Sequence, residues 1–218
     1  MNQFTTATST TSNVWMFSGE PGAGKTYVTK ALMQTRLRVN GTDALVVAYQ
    51  AKSATPLGGC TIHSTFGIST TGRCDTSDVS QLTKLPNWSN IGILIIEKFA
   101  MISPWLLRTM DEKLRRARNL DTFCGGLVVL ALGDAMQIPP IQQNSIYEYM
   151  LASFDEFRQY VLPQSNAATI ADVLYVQAYF NLTTISCVWL KNQMRTIDKQ
   201  RQRVIRVACN PYESHPMR

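Results

Sequence analysis

Residues 14–26 read Val14-Trp15-Met16-Phe17-Ser18-Gly19-Glu20-Pro21-Gly22-Ala23-Gly24-Lys25-Thr26. The apolar run 14–17 is rich in β-formers and predicts a buried strand. The eight residues that follow satisfy G-x-x-x-x-G-K-S/T in full. Residues 26–37 then carry helix formers, with Val28, Ala31 and Leu32 on one face. A glycine-rich loop between a strand and a helix can curl until its N–H groups converge. The helix behind it adds the positive end of its dipole. Gly19, Glu20, Pro21, Gly22, Ala23, Gly24, Lys25 and Thr26 are therefore expected to line a nucleoside triphosphate site. Lys25 is expected to reach the β- and γ-phosphates, and Thr26 to place its hydroxyl on Mg²⁺.

Outward from this loop the pattern repeats. Continuous apolar runs at 44–49, 91–96, 126–132 and 184–190 predict further strands. Between them, 104–119 is amphipathic, with Leu106, Met110 and Leu114 at fourfold spacing. Helical patterns also fall within 145–160 and 170–179. Gly58-Gly59 marks a turn, 61–66 opens a short helix, and 69–90 is a polar, turn-rich surface excursion. Strands apolar throughout, alternating with helices, imply a parallel sheet covered on both faces, the α/β class. Ligands of such sheets sit at the carboxyl ends of the strands. Residues 19–26, Gln50 to Lys52, Glu97-Lys98 and 133–137 all fall there.

Composition narrows the class. The chain has 218 residues, 45% hydrophobic and 17% charged, which fits a folded globular chain. Its apolar runs are too short to span a bilayer, and residues 1–13 are Thr/Ser-rich with no secretory pattern. No membrane role is expected. Five cysteines, an odd number without a C-x-x-C pair, read as free thiols of a reducing, intracellular compartment. A zinc site is not expected. The formal charge is +6, and +5 of it lies from Lys191 onward. A basic segment there, with a helix at 197–208, suits a polyanion such as nucleic acid. A solvated helix face accounts for the same charges equally well. Trp15, Trp105 and Trp189 sit in apolar patterns and read as core residues rather than base-stacking platforms.

Three further segments carry a resemblance. Gly58-Gly59-Cys60-Thr61-Ile62-His63-Ser64-Thr65-Phe66-Gly67-Ile68 resembles the G-G-x-T-I-H-S-x-F-G-I stretch of Pif-type DNA helicases, the RecD-like branch of superfamily one. Leu94-Ile95-Ile96-Glu97-Lys98-Phe99-Ala100-Met101-Ile102 is similar to their L-I-I-D-E-I-S-M-I motif. Gly125-Gly126, followed by Gly133-Asp134-Ala135-Met136-Gln137-Ile138-Pro139-Pro140, resembles G-G…G-D-x-x-Q-L-P-P. Asp111, Leu114 and Arg115 fit the helix between the last two. Leu190 to Arg195 is similar to the L-x-x-x-x-R segment that ends the first motor domain. The resemblance spans residues 14–210, with 1–13 a flexible leader and 211–218 a tail.

The resemblance implies a RecA-like motor domain that uses ATP and Mg²⁺ to move 5′-to-3′ on single-stranded or forked DNA. By position, Lys25 and Thr26 would hold phosphate and metal. Glu97 would be the metal-associated carboxylate, Gln137 a γ-phosphate sensor and Arg195 a γ-phosphate contact. Arg195 also reads as a surface charge of a basic helix. Gln50, Lys52, Thr61, His63 and Ser64 would line or support the DNA track; His63 equally suits a helix start that satisfies local backbone groups.

The pattern is broken at one pair. The family's Asp-Glu is Glu97-Lys98 here. Glu97 keeps the carboxylate but moves it by about 1 Å, a displacement that can cost about a hundredfold in rate. At Lys98 the family's water-activating glutamate is replaced by an ammonium, which has no lone pair to offer at neutral pH. The resemblance also implies a second motor domain, and nothing after Arg195 resembles its motifs. The expected reading is a first motor domain, with a second helicase domain acting in trans. The alternative is a non-hydrolysing ATP- or DNA-binding module.

Overall fold

The computed structural model describes residues 14–69, 74–134, 146, 171–172, 174–176 and 185–190. In chain order they form β1 (Val14–Gly19), α1 (Lys25–Asn40), β2 (Asp43–Ala48), α2 (Ala51–Ala54), β3 (Cys60–Thr61), α3 (Ile62–Phe66), α4 (Ser80–Thr83), β4 (Ile91–Glu97), α5 (Pro104–Arg118), β5 (Val128–Gly133) and β6 (Ile185–Leu190). The strands make one sheet in the order β3-β2-β4-β5-β1-β6. Every neighbouring pair is parallel. This is the predicted RecA-like α/β arrangement.

Both faces of the sheet are covered, which is why the strands read as unbroken apolar runs. Alternation along each strand divides the side chains. Met16, Val47, Leu94, Ile96 and Val129 belong to one core cluster, under α3 and α5. Phe17, Val46, Ile93, Ile95 and Leu130 belong to the other, under α1. Leu106, Met110 and Leu114 of α5 are buried as their spacing requires. The ends of α5 follow its sequence. Ser103 caps the start by accepting from the Leu106 N–H at 3.3 Å, Pro104 opens the first turn, and Asn119 closes the helix in the left-handed conformation.

Several expectations are corrected. The sheet gains a strand, β3, because Gly59 lets the edge chain approach β2; a Cβ there would stand 2.4 Å from the Val46 carbonyl oxygen. Strand β5 begins at Val128, not at 126, because residues 124–126 turn through three successive left-handed conformations first. The excursion over 69–90 is not wholly on the surface: where it is described it forms α4 and buries Leu82 completely. Helix α1 packs through Val28, Thr29 and Met33, while Ala31 and Leu32 face outward. Thr29 tolerates burial because its hydroxyl donates to the Lys25 carbonyl at 2.9 Å. Trp15 is 38% exposed and is not core. It stands near the amino end of β1, and an apolar sequence pattern cannot show how far the covering helix reaches. Trp105 packs partly buried against the core as expected, while the Trp189 side chain lies outside the described residues. The helix expected at 170–179 is seen at its described positions. Those at 145–160 (Ile146 apart) and 197–208 lie outside them.

Candidate active site

Strand order decides what meets. β4, β5 and β1 are neighbours, so their carboxyl ends bring Glu97, Asp134 and the glycine-rich loop to one edge. The loop leaves β1 at Gly19, where no side chain fits: a Cβ would lie 2.7 Å from the Leu190 carbonyl oxygen of β6. Gly22 and Gly24 have φ of 90° and 86°, a region other residues avoid. The Ala23 N–H closes a turn onto the Glu20 carbonyl at 3.1 Å, and the Val28 N–H bonds the Gly24 carbonyl at 3.0 Å. The loop thus runs without a break into α1. The Lys25 ammonium donates to the Gly19 carbonyl and, at 3.1 Å, to that of Glu20. Pro21 is exposed and Thr26 half-buried at the mouth.

Glu97 ends β4 on the α1 side of the sheet, paired with Ala48 and Leu132. Burial pushes its carboxyl up to about 7, against the pull of the Lys25 and Lys98 charges. Its Oε2 is buried without a hydrogen-bond partner. A buried carboxylate oxygen without a protein partner fits Mg²⁺, which takes one or two protein oxygens and completes its shell with phosphate and water. Thr26 and Glu97 would hold the ion, and it would supply charge neutralisation at the phosphates.

The sign of the Glu97 shift is testable without any ligand. The ordinary value is 4.5, so the penalty for burying the charge is small below that pH and complete above about 7. Glu97→Gln is expected to stabilise the cation-free protein by about 3 kcal/mol above pH 7. The gain should shrink steadily as pH falls from 7 to 4.5. Urea midpoints of both proteins across that range measure it, and a pH-independent difference would refute it.

Lys98 follows in the left-handed conformation, φ 54° and ψ 54°, and starts the 3₁₀ turn Phe99–Met101. Its carbonyl accepts from the Met101 N–H at 2.9 Å. The position of the family's glutamate is therefore at the site edge, and a lysine occupies it. Asp134 is 4% exposed at the end of β5. Gln137 and Arg195 lie outside the described residues.

The residues expected at the DNA track divide into two kinds. Gln50 and Lys52 are exposed after the carboxyl end of β2. Thr61 and Ser64 are engaged in building α3: the Ser64 N–H donates to Thr61 Oγ1 at 3.2 Å, and the two hydroxyls lie 2.9 Å apart. His63 is half-buried, edge-on to Tyr49 with ring centroids 5.4 Å apart, and burial lowers its pKa. Tyr49 is thus a neighbour of this surface that sequence reading missed.

Asp111 fits α5 as expected, but most of its partners are not legible in the sequence. It is 1% exposed and accepts from Arg115 Nε at 2.8 Å, from the Cys124 N–H at 2.6 Å and from the Tyr175 hydroxyl. Its spacing from Arg115 was visible in the sequence. Its other two donors come from distant segments and were not.

A phosphate loop after the first strand, with an acidic strand end two positions away in a parallel sheet, defines a RecA-like P-loop nucleotide-binding domain. The family model for PIF1-like helicases matches residues 2–157, and this chain belongs to that family. The ATP-dependent DNA helicase PIF1 of Saccharomyces cerevisiae is 28% identical over 134 residues, covering 59% of this chain and 16% of that protein. The yeast ATP-dependent DNA helicase RRM3 is 25% identical over 203 residues, 84% of this chain and 27% of that protein. The crystal structure of Bacteroides Pif1 helicase with ADP-AlF3 and single-stranded DNA superposes with a TM-score of 0.64 at 25% identity, covering 91% of this chain and 43% of that one. The chain therefore spans less than half the length of these relatives.

Proposed function

We propose that this chain is the ATP-binding first motor domain of a PIF1-type DNA helicase, and that Lys98 separates nucleotide binding from hydrolysis. The observation that carries the reading is the loop 19–26 at the carboxyl end of β1, with Lys25 and the unpartnered Glu97 oxygen at the same sheet edge. Lys25 and Thr26 engage ATP and Mg²⁺. Gln137 and Arg195 are the candidate γ-phosphate contacts. Gln50, Lys52 and His63 face single-stranded or forked DNA, with Thr61 and Ser64 shaping the turn beneath. The Bacteroides relative, crystallised with single-stranded DNA, supports that partner. Unwinding requires a second helicase domain to close on the nucleotide, and one supplied in trans suits this chain.

A second reading, a non-hydrolysing nucleotide- or DNA-binding module, is favoured by Lys98. The first reading requires nucleotide binding. The native chain is expected to bind Mg-ATP, and Lys25→Ala to weaken binding at least a hundredfold, the loss of a charge-assisted contact to phosphate. Titration calorimetry of the two proteins decides this. Equal affinities would remove the loop from the nucleotide site.

A further inference from the structure

Glu20 is the second residue of the phosphate loop, and belonging to the loop does not explain its side chain. The residue is 7% exposed, and Oε2 is buried with no hydrogen-bond partner. Its carbonyl is engaged, accepting from both the Ala23 N–H and the Lys25 ammonium, each at 3.1 Å. A buried acceptor left unpaired is costly and rare, and it calls for a functional account.

Position supplies that account. Phosphate loops attract anions through converging N–H groups and a helix dipole. A carboxylate in the same loop opposes them. The Lys25 ammonium, which serves the β- and γ-phosphates, lies against the Gly19 and Glu20 carbonyls. A glutamate side chain reaches only about 5 Å from its own backbone. The carboxylate therefore lies within about 10 Å of the Lys25 ammonium. In a partly buried site, like charges at that separation change affinity by on the order of tenfold for each charge.

We propose that Glu20 is a specificity-determining residue of this loop, whose carboxylate repels the terminal phosphate and holds down the preference for nucleoside triphosphate over diphosphate. The inference rests on the nucleotide-site reading above. Glu20→Gln keeps the shape and removes the charge. It should tighten Mg-ATP by about tenfold and Mg-ADP by about threefold or less. Thermal unfolding of the nucleotide-free chain checks that the variant folds.

The experiment is calorimetric titration of the full chain and its variant with each nucleotide, beside thermal unfolding. If the native chain binds neither nucleotide, the nucleotide-site reading fails and this inference fails with it. If the native chain binds both, and Glu20→Gln holds ATP no more tightly or tightens ADP equally, only the role of Glu20 is overturned. Should the glutamine variant fail to fold, Glu20→Ser removes the charge with less bulk and is read in the same way.

Discussion

Lys98→Glu is expected to raise single-strand-stimulated ATP turnover of this chain by at least a hundredfold. In the reading proposed above Glu97 holds the metal, and Lys98 stands at the position of the family's water-activating glutamate. General-base catalysis contributes about 10²–10⁴ to such reactions, and an ammonium contributes none of it. Lys98 already holds a left-handed backbone. Glutamate has no greater difficulty there than lysine, so the variant should fold. Two controls separate charge from base. Lys98→Gln removes the cation without offering a base, and should leave turnover near the native level. Lys98→Glu also removes one of the two charges that restrain the upward shift of Glu97. Two adjacent carboxylates then depend on a divalent cation, so the gain should disappear in a chelator. Robust native turnover that the variant does not exceed would end the claim that Lys98 blocks hydrolysis.

How much of this was legible beforehand depended on how local the determinant was. The phosphate loop, the apolar strand at 93–96 and the spacing of Leu106, Met110 and Leu114 are determined by residues adjacent in sequence, and each was read correctly. Cys60-Thr61 is too short to show a period; it is a strand only because Val47 and Ala48 pair with it. Trp15 has apolar neighbours but incomplete cover, and cover is a tertiary fact. The site shows the same division. The resemblance implies Glu97 as the metal-associated carboxylate, but the sequence does not show that its Oε2 is unpartnered. The resemblance implies Thr61 and Ser64 near DNA; in the fold the Thr61 hydroxyl caps α3 and the Ser64 hydroxyl bonds back to Thr61. A cap can be read as S/T spacing before an apolar run. Tyr175, 64 residues from its partner Asp111, could not be read at all.

Asp111→Ala is expected to destabilise the fold by about 3–5 kcal/mol, a large share of the 5–15 kcal/mol typical of a domain. The loss has three parts. Among the described residues Arg115 keeps Asp121, at 2.8 Å and on the surface. The Cys124 N–H and the Tyr175 hydroxyl are left as buried or half-buried donors without their acceptor, each costing about 1–3 kcal/mol. Burial and the Asp111 charge already hold the Tyr175 hydroxyl well above its usual pKa, so it donates and does not ionise. Tyr175→Phe removes one donor and leaves Asp111 two. Its cost should be only about 1 kcal/mol. The same lesion should reach the nucleotide. Cys124 belongs to the turn that feeds β5 and so Asp134, while Tyr175 precedes β6, whose Leu190 backs Gly19. Both strands flank β1. Asp111→Ala should therefore weaken Mg-ATP binding although it touches no residue of the loop, and Tyr175→Phe should do so less. Urea unfolding and calorimetry on the same samples test both parts. An alanine variant within about 0.5 kcal/mol of native would show that the buried carboxylate is not the junction of these segments.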